Sequence, residues 1–264
     1  MKYILKFLPR ELLIKYSFYF IPILKIIFKG KRFYDPIDGN GYSKFLSYGY
    51  KKIRRNALSP GTLSLERHRL LWLYLVNETN FLDSKLKVLH VAPEQIFYKK
   101  FKKNQNWNYI TFDLKSPLAD IKGDLKSMNF ENKSFDLVIC NHVLEHIDDD
   151  IKALNEIFRV LKSGGVAILQ VPINFNRNET FEDQSIISKK DRQKYFGQYD
   201  HVREYGLDFK ERVEKAGFEV EMVYYTENFS EEIKLKYGLQ INDCLLYTSP
   251  SPRDLSTSRM PSSA

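Results

Sequence analysis

Cysteine is nearly absent from this 264-residue chain, which holds only Cys140 and Cys244. So few thiols exclude a disulfide framework as the organiser of the fold and fit a reducing, cytoplasmic setting. Long apolar runs are missing too. The most apolar stretch, Leu12 to Phe28, is broken by Lys15, Pro22 and Lys25, whereas a membrane-spanning helix needs roughly 20 apolar residues in succession. No small-residue cleavage site follows that stretch, so it does not read as a signal peptide. Glycine is scarce, with twelve residues, and no G-x-G-x-x-G occurs. The phosphate-cradling first turn of a dinucleotide-binding fold is therefore unavailable.

What is present is enough for a full core. Apolar residues make up 43% of the chain and aromatics 14%, which excludes global disorder, and the length suits one α/β domain with an appendage. The net charge of +8 is unevenly placed. Residues 1–55 carry thirteen Lys or Arg against Glu11, Asp35 and Asp38, so the remainder is slightly acidic. A basic chain raises nucleic acid as a partner. Here the excess flanks an apolar stretch, and an anionic membrane surface is the better match.

The composition divides the chain into four. Residues 1–32 read as two short amphipathic helices meeting at Pro22 and lying in a membrane interface, with packing on the protein body as the alternative. Residues 33–69 form an irregular module that ends in a helix beginning near Leu65. Residues 70–246 alternate strands and helices. Residues 247–264 are rich in Ser and Pro without an apolar period and read as a disordered, non-native tail, with the last strand cut near Asp243 to Leu246.

Four strand-like segments carry the chemistry. They are Lys87 to Glu94, Tyr109 to Asp113, Phe135 to Cys140, and Val166 to Pro172, the last entered through Gly164-Gly165. Alternating strands and helices predict a parallel sheet, which binds ligands at the carboxyl ends of its strands. Acids sit at those ends: Asp113, and Asp124 eleven residues later. The pattern D…D…SFDLVICNHVLEHI…VLKSGG resembles the class I S-adenosylmethionine-dependent methyltransferases, of the type 11 group. That resemblance implies a Rossmann-like, mostly parallel seven-stranded sheet with an N-terminal extension. A narrower resemblance, to a bacterial subgroup, rests on Leu89-His-Val-Ala-Pro-Glu94, Asn56-Ala-Leu58, Ser64-Leu-Glu-Arg-His-Arg69, Cys140 to Ile147 with Asp149-Asp150, Thr180 to Asp183, and Phe196 to Gly206.

The resemblance implies S-adenosylmethionine as cofactor, with Asp113 and Leu114 at the ribose and Asp124 and Leu125 at the adenine. Asn141 and His142 would stand at the reactive end. The family's first loop reads D-x-G-x-G, and here His90, Ala92 and Glu94 fill those positions. Glu94 is expected to receive the methionine ammonium group in place of the missing acid. The subgroup's two C-P-x-C pairs, which would bind zinc, are replaced by Asp35-Pro-Ile-Asp38 and Ser59-Pro-Gly-Thr62. Two carboxylates and two hydroxyls make a poor zinc cage, so no structural zinc is expected. Packing of Phe33, Phe45 and Tyr48 is expected to keep the turns.

His201 is the first choice as general base because imidazole titrates near neutral pH, with His142 beside it. Arg203 is expected to grip an anionic acceptor, and Glu182 and Asp183 to reach the same pocket. His142 and His146 have the i, i+4 spacing of metal ligands, but a structural role is expected and no metal is assigned. Glu66 to Arg69 are expected to salt-bridge a helix start. The combined reading is a methyltransferase on the cytoplasmic face of the plasma membrane, acting on a small-molecule, lipid-linked or glycan-precursor acceptor. Two rivals stand beside it: a non-catalytic binding protein that kept only the fold, and an RNA methyltransferase. The latter lacks a (D/N)PP(Y/F) base-holding motif, so nucleic acid is not the expected partner.

Overall fold

The computed structural model describes residues 20–49, 53–239 and 246–250. The described residues form two compact units, one from residues 20–49, 53–84, 93–106 and 224–239, the other from 85–92, 107–223 and 246–250. Residues 70–246, expected from sequence to be one contiguous domain, contribute to both units. The helices Gln95–Phe101 and Glu231–Tyr237 belong with the N-terminal module.

In the first unit, residues 20–27 are helical, and residues 1–19 of the expected interfacial segment lie outside the described residues. Strands β1 (Lys29–Asp35) and β2 (Asn40–Tyr42) form an antiparallel hairpin, as do β3 (Leu46–Tyr48) and β4 (Arg54–Leu58). Phe33 stacks on Phe45 with ring centroids 5.0 Å apart, and Tyr42 completes the cluster. Tyr48, expected in this packing, is exposed instead, because it sits on the outward side of the short β3.

The Asp35-Pro-Ile-Asp38 turn is held by hydroxyl donors. Thr62 donates to Asp35 Oδ2 at 2.5 Å and Ser64 to the same oxygen at 3.1 Å, while Tyr42 donates to Asp38 Oδ2 at 2.6 Å. Lys25 lies 2.8 Å from that last oxygen. A buried carboxylate needs such donors to offset its lost hydration. The turn geometry thus persists on hydroxyl–carboxylate bonds as well as on aromatic packing.

Arg69 holds this unit together. Its side chain is fully buried, and its guanidinium donates to the carbonyls of Ser64 (2.6 Å), Ala57 (3.0 Å), Tyr237 (2.7 Å) and Gly238 (2.9 Å). Gly238 closes the Glu231–Tyr237 helix in the left-handed region, at φ 61°, the position where a side chain is disfavoured. One side chain therefore joins the β4 segment, the start of helix Glu66–Asn77 and the end of a helix distant in sequence. Glu66 pairs with Arg54 at 3.0 Å, as the salt-bridged reading of this helix start expects.

The second unit is built on a seven-stranded sheet. Its strands are β5 (Leu86–Val91), β6 (Trp107–Asp113), β7 (Ile121–Lys122), β8 (Phe135–Asn141), β9 (Leu161–Gln170), β12 (Glu221–Val223) and β13 (Leu246–Pro250). A small separate ribbon pairs β10 (Phe181–Glu182) with β11 (Arg203–Glu204). The sheet order is β12-β13-β9-β8-β5-β6-β7, parallel from β7 to β9 and antiparallel at β13. This is the Rossmann-like arrangement expected of a class I methyltransferase. The central strands are buried along most of their length, as parallel strands covered on both faces must be. Helix Asp150–Val160 buries Ala153, Leu154, Ile157 and Val160 on one stripe and is capped by Asp149, which accepts from the Lys152 amide at 2.9 Å.

The tail expected to be unstructured from Tyr247 instead contributes β13 as far as Pro250. Without it the outer edge of β9 would expose unpaired amides and carbonyls. Residues 251–264 lie outside the described residues.

Replacing Arg69 with Met should cost about 3–5 kcal/mol in urea unfolding, because at least four carbonyls lose their donor. Lys at this position should recover little of that, since a single ammonium cannot span the fork. Loss of under about 1 kcal/mol in both variants would contradict this role.

Candidate active site

The chain leaves β5 toward β6 on one side and reaches β8 on the other, so the crevice between β5 and β8 is the switch point of the sheet. Both strands end there in backbone that side chains rarely adopt. Ala92 has φ 49° and His142 has φ 53°. Each is fastened by its amide, Ala92 to the Phe112 carbonyl at 2.8 Å and His142 to the Gln170 carbonyl at 2.7 Å. Left-handed backbone costs about 1–2 kcal/mol for a residue with a Cβ, and such strain clusters at ligand sites. Ala92 thus adopts, at the end of β5, a conformation ordinarily left to glycine.

The two predicted acids come together at the next strand end. Asp113 closes β6, and its carbonyl accepts from the Gly123 amide at 3.2 Å, immediately before Asp124. Asp113 Oδ1 takes the amides of Lys115 (2.7 Å) and Ser116 (2.5 Å). No protein donor meets its Oδ2 among the described residues. Asp124 Oδ1 takes the Lys126 amide at 2.9 Å. Leu114 stands exposed beside Asp113, whereas Leu125 and Met128 are buried beneath Asp124. An open carboxylate oxygen, a neighbouring exposed apolar side chain and a second acid form a surface that suits a ribose diol and an adenine.

Two first-loop candidates behave differently from expectation. The His90 imidazole is buried and bonded to the Tyr109 hydroxyl at 2.7 Å, so only its backbone remains for a ligand. Glu94, in the first unit, binds His68 Nε2 at 2.7 Å and lies 3.7 Å from Arg67. His68 Nδ1 accepts from the Leu65 amide at 2.9 Å, so the proton sits on Nε2 and points at the carboxylate. The residue expected to meet an ammonium group is already engaged by an imidazole.

Beyond β8 the chain turns through a short 3-10 helix, Leu144–His146. Asn141 is buried at the strand end and His142 is partly exposed. Glu145 is fully buried, with Oε1 3.2 Å from His142 Nδ1 and no hydrogen-bond partner on Oε2. Burial pushes the Glu145 carboxyl up, but the hydrogen bond and charge of His142, with the charge of His146, hold it below the usual range. The His201 ring packs edge-on against His146, with centroids 4.8 Å apart. Burial pushes the His201 imidazole below its ordinary value, outweighing the pull of Glu145.

Arg203, expected to grip an anionic acceptor, is engaged by the chain itself. Its buried guanidinium donates to the carbonyls of Leu144 (2.9 Å), Ile147 and Asp148 (2.8 Å), and to Glu182 Oε2 at 2.9 Å. The chain itself saturates the fork, so Arg203 positions the turn after β8. Asp150, which carried no assigned role, is the second hub. It accepts from Tyr205 at 2.8 Å and from Arg212 at 2.7 Å. A cavity of about 750 Å³ is lined by Asp148, Asp149, Glu182, Asp183, Arg192 and Arg212. Glu182 and Asp183 are thus among the residues lining a cavity.

Residues 77–169 match the family model described as a methyltransferase domain. That match spans about a third of the chain. Among solved structures, the [4+2]-cyclase SpnF aligns at a TM-score of 0.51 and 15% identity, covering 90% of this chain and 95% of that one. A Mesorhizobium loti S-adenosylmethionine-dependent methyltransferase aligns at 0.48 and 13%, covering 69% and 97%. The Burkholderia thailandensis 1,6-didemethyltoxoflavin-N1-methyltransferase, solved with its substrate and S-adenosylhomocysteine, aligns at 0.45 and 14%, covering 71% and 78%. At these identities the likeness is one of fold. No curated protein matches the chain.

If Ala92 holds glycine's conformation under strain, Ala92→Gly should raise stability by about 0.5–1 kcal/mol. The same change at Ala153, inside a helix, should cost about 1 kcal/mol. Urea unfolding of both variants checks the contrast, and equal losses at the two positions would remove the strain argument.

Proposed function

We propose that the chain transfers the methyl group of S-adenosylmethionine to a small-molecule acceptor. The observation that carries this reading is the pair of left-handed strand ends, Ala92 and His142, flanking the switch point of a class I methyltransferase sheet. S-adenosylmethionine is the cofactor, and it supplies an electrophilic methyl group on a sulfonium. Asp113 Oδ2 is the acceptor for the ribose hydroxyls, and Leu114 and Leu125 flank the base. Asp124 meets the adenine amino group, and the Ala92 backbone and Asn141 shape the reactive end.

Methyl transfer asks mainly for an in-line approach, with a proton acceptor if the acceptor group is a hydroxyl. His142 is partly open and has the Glu145 carboxylate behind its Nδ1, an arrangement that orients an imidazole. His201, the first choice from sequence, is buried, so His142 takes the proton-accepting role. The cavity volume of about 750 Å³ lies within the range of small-molecule sites. Its mixture of acids and arginines suits a polar acceptor, the glycan-precursor class among them.

Calorimetric titration of S-adenosylmethionine into the full chain tests the cofactor site. Asp113→Ala should weaken binding about 10- to 100-fold, the worth of a hydrogen bond to a charged group at ~1.5–3 kcal/mol. A folded parent that binds no cofactor would leave a non-catalytic relative.

Attachment to an anionic membrane surface is part of the same proposal. Phe20, Ile23, Ile26 and Ile27 are exposed on the 20–27 helix, beside Lys25, Lys29, Lys31 and Arg32. No helix among the described residues is long and apolar enough to cross a membrane. An exposed apolar stripe with adjacent cations is the signature of an interfacial helix. Co-sedimentation with phosphatidylglycerol vesicles should fall about tenfold in an Ile23→Glu/Ile26→Glu variant. Undiminished sedimentation would rule this helix out as the anchor.

A further inference from the structure

We propose that Glu145, His146 and His201 form a binding site for a divalent first-row transition ion of the zinc class. One ligand atom from each lies within 4.8 Å of those of the other two. Metal–ligand distances of ~2.0–2.1 Å place the donor atoms of a tetrahedral site about 3.4 Å apart. Side-chain shifts of about 1 Å therefore close the cluster on an ion.

The protonation pattern argues for a cation more strongly than the distances do. His201 Nδ1 lies 3.1 Å from the Phe196 carbonyl, and His146 Nδ1 lies 3.2 Å from the Asp200 carbonyl. A carbonyl oxygen only accepts, so both histidines hold their proton on Nδ1 and keep a lone pair on Nε2. Anchoring one ring nitrogen on a backbone carbonyl is how proteins orient a metal-ligating histidine. His201 Nε2 is buried and has no hydrogen-bond partner, and the same holds for Glu145 Oε2. Leaving such atoms bare costs on the order of 1–3 kcal/mol each, and a shared cation removes both deficits together.

The other contacts fit a built site. Glu145 Oε1 is bound to His142 Nδ1 at 3.2 Å, which leaves Oε2 as the free donor. Val202, beside His201, donates its amide to the Glu145 carbonyl at 2.9 Å, so the two segments are fixed against each other. His146 is the partly open member, with 35% of its side chain accessible, and supplies the entry path. Two imidazoles and one carboxylate suit zinc, ferrous or cobaltous ions, whereas magnesium and calcium prefer all-oxygen shells. Three protein ligands leave a coordination position for an oxygen atom of another molecule.

The test titrates zinc, and cobalt as its visible probe, into the full chain after chelator treatment, with no S-adenosylmethionine present. Its outcome is therefore independent of the cofactor reading. One equivalent per chain is expected, with d–d absorption of nitrogen-ligated cobalt. His146→Ala, at an accessible position, should keep the thermal midpoint and weaken zinc binding more than about 100-fold, beyond the loss typical of an outer-shell partner. Glu145→Gln should weaken it likewise. Absence of stoichiometric binding, binding untouched in His146→Ala, or equal competition by magnesium would overturn the assignment.

Discussion

The turn that follows β8 depends on where one guanidinium is placed. Arg203 is buried, and its donors end on the carbonyls of the turn that follows β8 and on Glu182. A turn of that kind leaves backbone acceptors without partners, and burying them unpaired costs several kcal/mol. The guanidinium satisfies them in one step and locks the turn to β11. The Glu145 carbonyl is taken by Val202, and the Asp150 carboxylate by Tyr205 and Arg212. The geometry of His142, Glu145 and His146 is thus imposed from outside the turn rather than by its own helical propensity. The first unit uses the same device, with Arg69 collecting four carbonyls from three segments of the chain.

This dependence explains why some motifs were legible and their roles were not. The CNHVLEHI and FGQYDHVREYG segments stand out in the sequence because they are polar residues in unusual order. The structure brings them together residue against residue. Arg203 read as an anion grip because an arginine near a strand end can do either job. What decides is the number of nearby carbonyls lacking donors, and that is a tertiary quantity. Asp150 was overlooked for the converse reason. A third acid in Asp148-Asp149-Asp150 looks like solvated charge, yet burial against Tyr205 and Arg212 makes it a hub.

The sheet was the most legible part. Strand ends predicted at Asp113 and near Cys140 are found at Asp113 and Asn141, because continuous apolar runs and terminal acids report parallel strands directly. The pairing of Asp113 with Asp124 followed from the same logic. Less legible were features resting on backbone need. Composition marks Tyr247 to Pro250 as disordered, but the open edge of β9 takes them as a strand. Tyr48 read as core by type, whereas a three-residue strand turns it outward and Tyr42 fills the space.

The glycine-poor first loop bears on how the cofactor site works. In the resembling family an acid and two glycines combine charge with close backbone approach. Here the two functions are separated. Ala92 preserves the approach at the cost of strain, since its φ of 49° is what glycine would adopt freely. The charge is not preserved, because His90 is bonded to Tyr109 and Glu94 to His68. At the second strand end, by contrast, Asp113 keeps one carboxylate oxygen without a protein donor among the described residues. The strain at Ala92 and the open oxygen of Asp113 thus lie at neighbouring strand ends of one parallel sheet, which is where such a sheet takes its ligands.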